Sequence, residues 1–422
     1  MHSFLLRRLL GPCVTAALLA AGIPAIAAET PLTLGQAQKI AVERSRQLEA
    51  QSLGVNAARD MAVAAGQLPD PVLSLGLENW PIEGPDRFSI AREGMTMRRI
   101  GVMQELPSAT KRGLRAEKFE KEALKGLAEQ DATRATIHRD TALAWLDTWY
   151  ANAMAGVLAE QRLRGLQEAQ GAEAEYRAGR GSQSDVLMAR ASVAMLDDRA
   201  AEIERKVRTA RTMLARWTGA EADRPLAAKP DINSVRLDAH GLDEQLSSHP
   251  EIAVLARQEE MASAEARLAR ANRNPDWSVE LAYQRRGSMF GDMVSIGVSV
   301  PLPWDRANRQ DRELSAKLAA VGQAQAQREE LLRQHIAEVQ NMLHEWESNK
   351  TRIVRFEREI IPLATARADA SLAAYRGGKS NVSEVLAARR AELDARLQAL
   401  QLEAETARIW AQLNFLVAEE RK

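Results

Sequence analysis

The sequence predicts a mostly α-helical chain, written twice end to end, whose four short strands belong to a transmembrane β-barrel. Three observations carry that prediction. The first is composition: 27% of the 422 residues are charged and only 4% aromatic, with Ala, Leu, Arg, Glu and Gln abundant. That mixture suits long helices packed through small residues and not a thick aromatic core. The second is a duplication, and the third is a set of strands long enough to cross a membrane. Lys+Arg and Asp+Glu balance at 57 each, which argues against a nucleic-acid partner, since such proteins carry a basic surplus.

Residues 1–27 read as a secretory signal peptide. Arg7 and Arg8 form a positive n-region, residues 9–21 an apolar stretch, and Ala25-Ile26-Ala27 a small-residue cleavage site. The apolar run is too short for a membrane anchor and Pro12 interrupts it. Cys13, the one cysteine, lies inside this signal and follows Pro12, an unsuitable setting for acylation. The mature chain is therefore expected to lack disulfides, cysteine ligands and cysteine nucleophiles. Beyond the signal no run of about 18 apolar residues occurs, so no helix is expected to span a bilayer.

The duplication is read from three pairs of segments in the same order. YRAGRGSQSDVLMAR (176–190) matches YRGGKSNVSEVLAAR (375–389), 199 positions on. LPDPVLSLGLENW (68–80) matches RNPDWSVELAYQR (273–285), and IGVMQELP (100–107) matches IGVSVPLP (296–303). The first structural repeat is placed at 28–220, an inter-repeat linker at 221–243, the second repeat at 244–418 and a short tail at 419–422. Each repeat reads as helix, strand, loop, strand, very long helix, turn and long helix. In the first, a helix runs from Thr33 to Gly66, and a proline-free polar pattern from Lys111 to Tyr176 predicts on the order of 100 Å of helix at about 1.5 Å per residue. The return helix carries Val193, Leu196, Ala200, Ile203, Val207, Ala210, Leu214 and Trp217 at alternating intervals of three and four, a heptad stripe. Leu386, Leu393, Leu400 and Ala407 repeat it at intervals of seven.

The strands are expected at 72–80, 97–106, 277–285 and 294–302, close to the roughly 9–11 residues a tilted transmembrane strand needs. Val294, Ile296, Val298, Val300 and Leu302 alternate with small or polar residues; so do Trp277, Val279, Leu281 and Tyr283, and Leu73, Leu75 and Leu77. Trp80, Trp277 and Trp304 at the strand ends suit an interfacial aromatic girdle. The competing reading is a small soluble sheet between helices. Four strands cannot close a barrel, and an open edge in lipid leaves backbone groups unpaired at several kcal/mol each. A membrane-spanning sheet here requires several chains in one barrel.

No catalytic constellation is present: there is no phosphate loop, nucleophile elbow or metal-ligand spacing, so neither an enzyme nor a cofactor is expected. Met95, Met97, Met289 and Met293 form no repeated ligand set and read as gap-fillers. His138, His240, His249, His335 and His344 are scattered and read as ordinary helix-surface residues, so no metal site is assigned.

The duplication, the paired strands and the repeated Tyr-Arg-x-Gly…(Asp/Glu)-Val-Leu turn resemble the TolC-type outer-membrane factors over essentially the whole mature chain. LPDPVLSLGLENWPIEGPDRFS, MTMRRIGVMQELP and VSVPLPWDRANR resemble the heavy-metal efflux branch, the CzcC- and CusC-like members. The resemblance implies a homotrimer with a 12-stranded barrel in outer-membrane lipid and an α-helical tunnel across the periplasm. It also implies a channel that passively conducts substrate, heavy-metal cations in this branch, with a periplasmic adaptor and an inner-membrane pump of the resistance–nodulation–division type as partners. Drug or type I secretion ducts share this fold. A periplasmic adaptor, a different class, also has a signal and a helical hairpin, but only one hairpin; a periplasmic enzyme on a coiled-coil scaffold has no site.

By the same resemblance the two turns form the periplasmic tip. Arg177, Gly179, Ser184, Asp185, Arg376, Gly378 and Ser383 are the expected adaptor contacts, and Tyr375 and Glu384 the expected aperture gate. Two departures stand against the gate: Ser380 where the family often has Arg, and Ala387 where a second acid is often found. Ser182-x-x-Asp185 and Asn381-x-x-Glu384 also have capping-box spacing, so each acid has a purely structural alternative.

Overall fold

The computed structural model describes residues 30–237 and 241–416. The expected signal at 1–27 with Cys13, the tail at 419–422 and His240 lie outside the described residues.

The helix expected from Thr33 to Gly66 is two helices, α1 (Leu34–Glu43) and α2 (Arg46–Gly66). Thr33 starts α1 with a full capping box to Gln36. The break follows from Ser45, whose hydroxyl accepts the Leu48 amide at 3.3 Å and so begins a new helix. The second repeat breaks at the equivalent place, into α5 (Leu242–Ser247) and α6 (Pro250–Ala271). There His249 is the cap and Pro250 occupies the first helical turn, where its missing N–H costs nothing.

Strands β1 (Val72–Glu78) and β2 (Met97–Leu106) precede α3 (Ala109–Arg177), whose 69 residues correspond to about 100 Å. After the turn, α4 (Gln183–Thr218) returns and closes in a 3₁₀ turn at Gly219–Asp223. The second repeat supplies β3 (Trp277–Arg285), β4 (Met293–Ser299), α7 (Gln310–Arg355), α8 (Ile361–Arg376) and α9 (Val382–Asn414). Two strands end earlier than their alternation predicts. β1 stops before Asn79, which turns out of the sheet at φ +53°. β4 starts one residue early and stops at Ser299, ahead of Pro301, which has no N–H to donate. The long outgoing helix of the second repeat is likewise interrupted, by a π-helical turn at Phe356–Ile360. Pro362 lies just beyond it and removes one i→i−4 bond, a common origin of such a turn.

The main core gathers Trp145 and Tyr150 from the middle of α3 with Leu214, Trp346, Trp410 and Leu413 from the last turns of α4, α7 and α9. The segment between the repeats is pinned to this core instead of looping freely. Leu32 bridges Leu226, and Trp145 Nε1 donates to the Leu32 carbonyl at 3.1 Å. Trp346 Nε1 donates to Ile232 at 3.1 Å and Trp410 Nε1 to Ser234 at 2.9 Å. Each buried indole thus finds an acceptor on otherwise irregular backbone. The heptad stripe of α4 behaves as its spacing predicts: Ile203 is buried against Leu158 and Leu393, with Leu196, Ala200 and Val207 beside it. Where strands join helices, Lys111 of α3 is buried on Asp276 at 2.7 Å, tying the base of β2 to the base of β3.

Candidate functional site: an exposed apolar sheet and a helical tip

The four strands form one antiparallel sheet in the order β1-β2-β3-β4, with β1 and β4 as its edges. Its register sorts the side chains by face. Leu73 pairs Val102 and Leu75 pairs Ile100; Val102 pairs Leu281 and Ile100 pairs Tyr283; Leu281 pairs Ile296 and Tyr283 pairs Val294. Since period-2 alternation puts opposed residues on one side, these side chains share a face. It is apolar and open: Leu75 is 73% and Ile296 76% exposed. The other face carries Ser74, Gly101, Ala282 and Ser295, with Arg99 held between Glu78 at 3.0 Å and Glu280 at 2.5 Å. An exposed continuous apolar face backed by a polar one is the reverse of a soluble sheet on a core, and it is the pattern of a barrel wall in lipid. Trp80 sits at the loop end of the sheet against Phe88, while Trp277 and Trp304 lie exposed at the helix end.

At the far end of the helices the two reversals are built alike. Gly179 has φ +73° and Gly378 φ +68°, the left-handed region that a side chain strains. The Gly179 amide donates to Tyr176 and the Gly378 amide to Tyr375, both at 3.0 Å. Arg180 folds back to grip Glu175 in the first turn with two bonds, at 2.7 and 3.0 Å. Asp185 closes the expected capping box with Ser182. Glu384 does not. The Asn381 side chain accepts the Glu384 amide at 3.0 Å, but the Glu384 carboxylate turns to the Ser380 hydroxyl at 2.5 Å. The helix start thus depends on Asn381 and leaves the Glu384 carboxylate on the surface.

Between the hairpins opens a cleft of about 980 Å³, lined by Arg164, Glu168, Glu175, Asp185, Tyr375 and Arg389 among others. Tyr375 packs on Ala172, Ala189 and Val382, and its hydroxyl pKa is raised by burial, then by Glu175 and Asp185. The acids that bear on Tyr375 therefore belong to the first hairpin, not to Glu384. Of the residues expected at the tip, Arg177, Gly179, Ser184, Arg376, Gly378, Ser383 and Glu384 are exposed; Asp185 and Tyr375 are half-buried.

Sequence reasoning missed the charge network behind this cleft. Glu392 of α9 is wholly buried, yet its carboxylate receives Arg396 at 2.8 Å, Arg389 at 2.9 Å, Arg164 at 3.5 Å and the Thr365 hydroxyl at 3.3 Å. Arg389 also binds Glu168 at 3.2 Å and Asp369 at 3.2 Å. Burial raises the Glu168 pKa in spite of Arg389. The signal was present as Arg389-x-x-Glu392-x-x-x-Arg396, three charges on one helical face. In the first repeat the position 199 residues before Glu392 is Val193, so the buried carboxylate has no counterpart there.

The sheet and hairpins together have the fold of solved transmembrane-channel and outer-membrane proteins. Residues 241–419 match the family described as outer membrane efflux protein. Over 249 residues the chain is 27% identical to the cobalt-zinc-cadmium resistance protein CzcC of Cupriavidus metallidurans; the match covers 56% of this chain and 57% of that relative's length. Two solved structures share the fold. CusC aligns over 92% of this chain and 93% of its own at TM-score 0.77 and 18% identity. VceC, an outer membrane protein of Vibrio cholerae, aligns over 92% and 97% at TM-score 0.74 and 18% identity. The second repeat of the chain is thus similar to the outer membrane efflux protein family, and part of the chain to CzcC. None of the chain's described helices is long and apolar enough to cross a membrane.

Proposed function

We propose that three copies of the chain close a twelve-stranded barrel and form the outer-membrane channel of a tripartite efflux system. The observation that carries this reading is the sheet: one exposed apolar face, one polar face and two unpaired edges, mounted on helical hairpins about 100 Å long. Joining β1 of one copy to β4 of the next satisfies every edge. The channel passively conducts what a resistance–nodulation–division pump delivers through a periplasmic adaptor. The likeness to CzcC favours heavy-metal cations as cargo. The exposed tip residues Arg177, Gly179, Ser184, Arg376, Gly378 and Ser383, with Asp185 beside them, contact the adaptor, and Tyr375 and Glu384 line the aperture.

Planar-bilayer recording tests the channel and its gate together. The reconstituted protein is expected to conduct cations in preference to anions, because three copies of Glu384 at a narrow tip focus negative potential. Glu384→Gln is expected to lower that preference while leaving the start of α9 intact, since Asn381 makes the cap. No conductance in the wild type contradicts the channel; unchanged selectivity in Glu384→Gln removes that residue from the aperture.

A further inference from the structure

Two histidines that stand 86 positions apart in the sequence meet where α6 begins beside α7. The rings of His249 and His335 lie 4.6 Å apart, centre to centre. Glu251 lies with them: its carboxylate is 3.1 Å from His335 Nε2, and one ligand atom from each of the three residues falls within 4.8 Å of the others. His249 is buried and His335 nearly so, while Glu251 reaches towards solvent.

We propose that His249, Glu251 and His335 bind a borderline divalent cation, Zn²⁺ or Co²⁺, one per protomer, with water completing a four-coordinate shell and Glu338 orienting His335. Two imidazoles and one carboxylate suit that class of ion and leave a fourth position open. Ligands about 2.0–2.2 Å from a tetrahedral ion stand roughly 3.4 Å apart, so closure asks for shifts of about 1 Å. The half-exposed Glu251 side chain can supply most of that movement.

Two further features point the same way. His335 Nδ1 lies 3.4 Å from Glu338, one turn along α7, so that carboxylate can hold the proton on Nδ1 when a cation takes the place of the Nε2 contact to Glu251. A carboxylate behind a ligating imidazole is a recurrent support of metal sites, because it fixes the tautomer and the ring plane. His249 is more than its capping role requires. Its Nδ1 accepts the Glu251 amide at 3.2 Å, a bond that the Ser45 hydroxyl supplies at the equivalent break in the first repeat. Burial and the neighbouring His335 ring hold His249 at about 4, so it is a neutral ring in neutral solution. Metal binding exchanges the cap bond for a metal bond. Arg139, the nearby cation that disfavours charge here, is paired to Asp140 at 2.9 Å. The site lies beside the main core, where Leu332 and Ile336 of α7 pack, and is independent of what the channel carries.

Titrating the metal-free, detergent-solubilised mature protein with Co²⁺ tests the site directly. One equivalent per protomer is expected to give the visible bands of a four-coordinate ion, and Zn²⁺ is expected to displace it. His335→Ala and His249→Asn should abolish the bands; Asn retains a cap acceptor, so α6 still starts and far-ultraviolet helicity should be unchanged. Glu338→Gln should weaken binding by roughly 10- to 100-fold, while His344→Ala, a histidine on α7 outside the cluster, should bind as the wild type does. Absence of a saturable equivalent overturns the proposal. So do bands that survive His249→Asn or His335→Ala, and so does an affinity that Glu338→Gln leaves unchanged.

Discussion

Glu392→Ala is expected to lower the stability of the fold by about 3–5 kcal/mol, the usual effect of breaking a buried ion pair by removing one partner. Glu392 is wholly buried and answers Arg389, Arg396 and Arg164 at once. Without it those guanidinium groups face one another beside Glu168 and Asp369, which do not suffice for all of them. Glu392→Gln should be milder, because the amide oxygen still accepts one bond. Denaturant unfolding in detergent checks both. A loss below about 1 kcal/mol in the Ala variant would place the cluster in the range of solvated surface pairs and so mean that water reaches it.

Ile296→Arg is expected to remove the protein from the outer membrane. Ile296 stands in the middle of β4 on the face it shares with Leu281, and is 76% exposed in the protomer. A cationic side chain at mid-bilayer costs about 2–4 kcal/mol in a barrel, and a trimer carries the penalty three times. Ser295→Arg, one residue earlier on the polar face, should be far better tolerated because in the proposed barrel that face lines the interior. Quantifying both variants in outer-membrane fractions decides the point. Equal tolerance of the two would mean that the apolar face does not meet lipid.

The contrast between these sites also explains what was legible in the sequence. The strands were, because period-2 alternation over seven to ten residues survives wherever one face must be apolar, as in Val294, Ile296 and Val298. The α4 stripe from Val193 to Leu214 was legible for the same reason at helical period. Local interruptions were not. Ser45 and His249 split helices whose hydrophobic spacing runs on across the break, since a cap is one hydrogen bond and leaves little trace in a pattern. Pro362 was visible, but the π turn before it depends on how neighbouring helices hold the chain. Glu392 was hidden by its own regularity: Arg-Glu-Arg at spacings of three and four ordinarily marks a solvated face, and only packing against α3 and α8 buries it. The histidine pair escaped because contact across two helices has no sequence period at all. At the tip, the turn geometry of Gly179 and Gly378 followed from the repeat, whereas the partner of Glu384 did not, because Ser380 competes with the helix amide for its carboxylate.

The central claim is that the four-stranded sheet is a third of a shared barrel. Native mass spectrometry of the mature protein released from detergent micelles tests it most directly. The account predicts a single dominant species at three times the protomer mass, persisting until denaturation, since a lone sheet in lipid leaves the edges of β1 and β4 unpaired. A folded monomer that stays stable in the same micelles would contradict it.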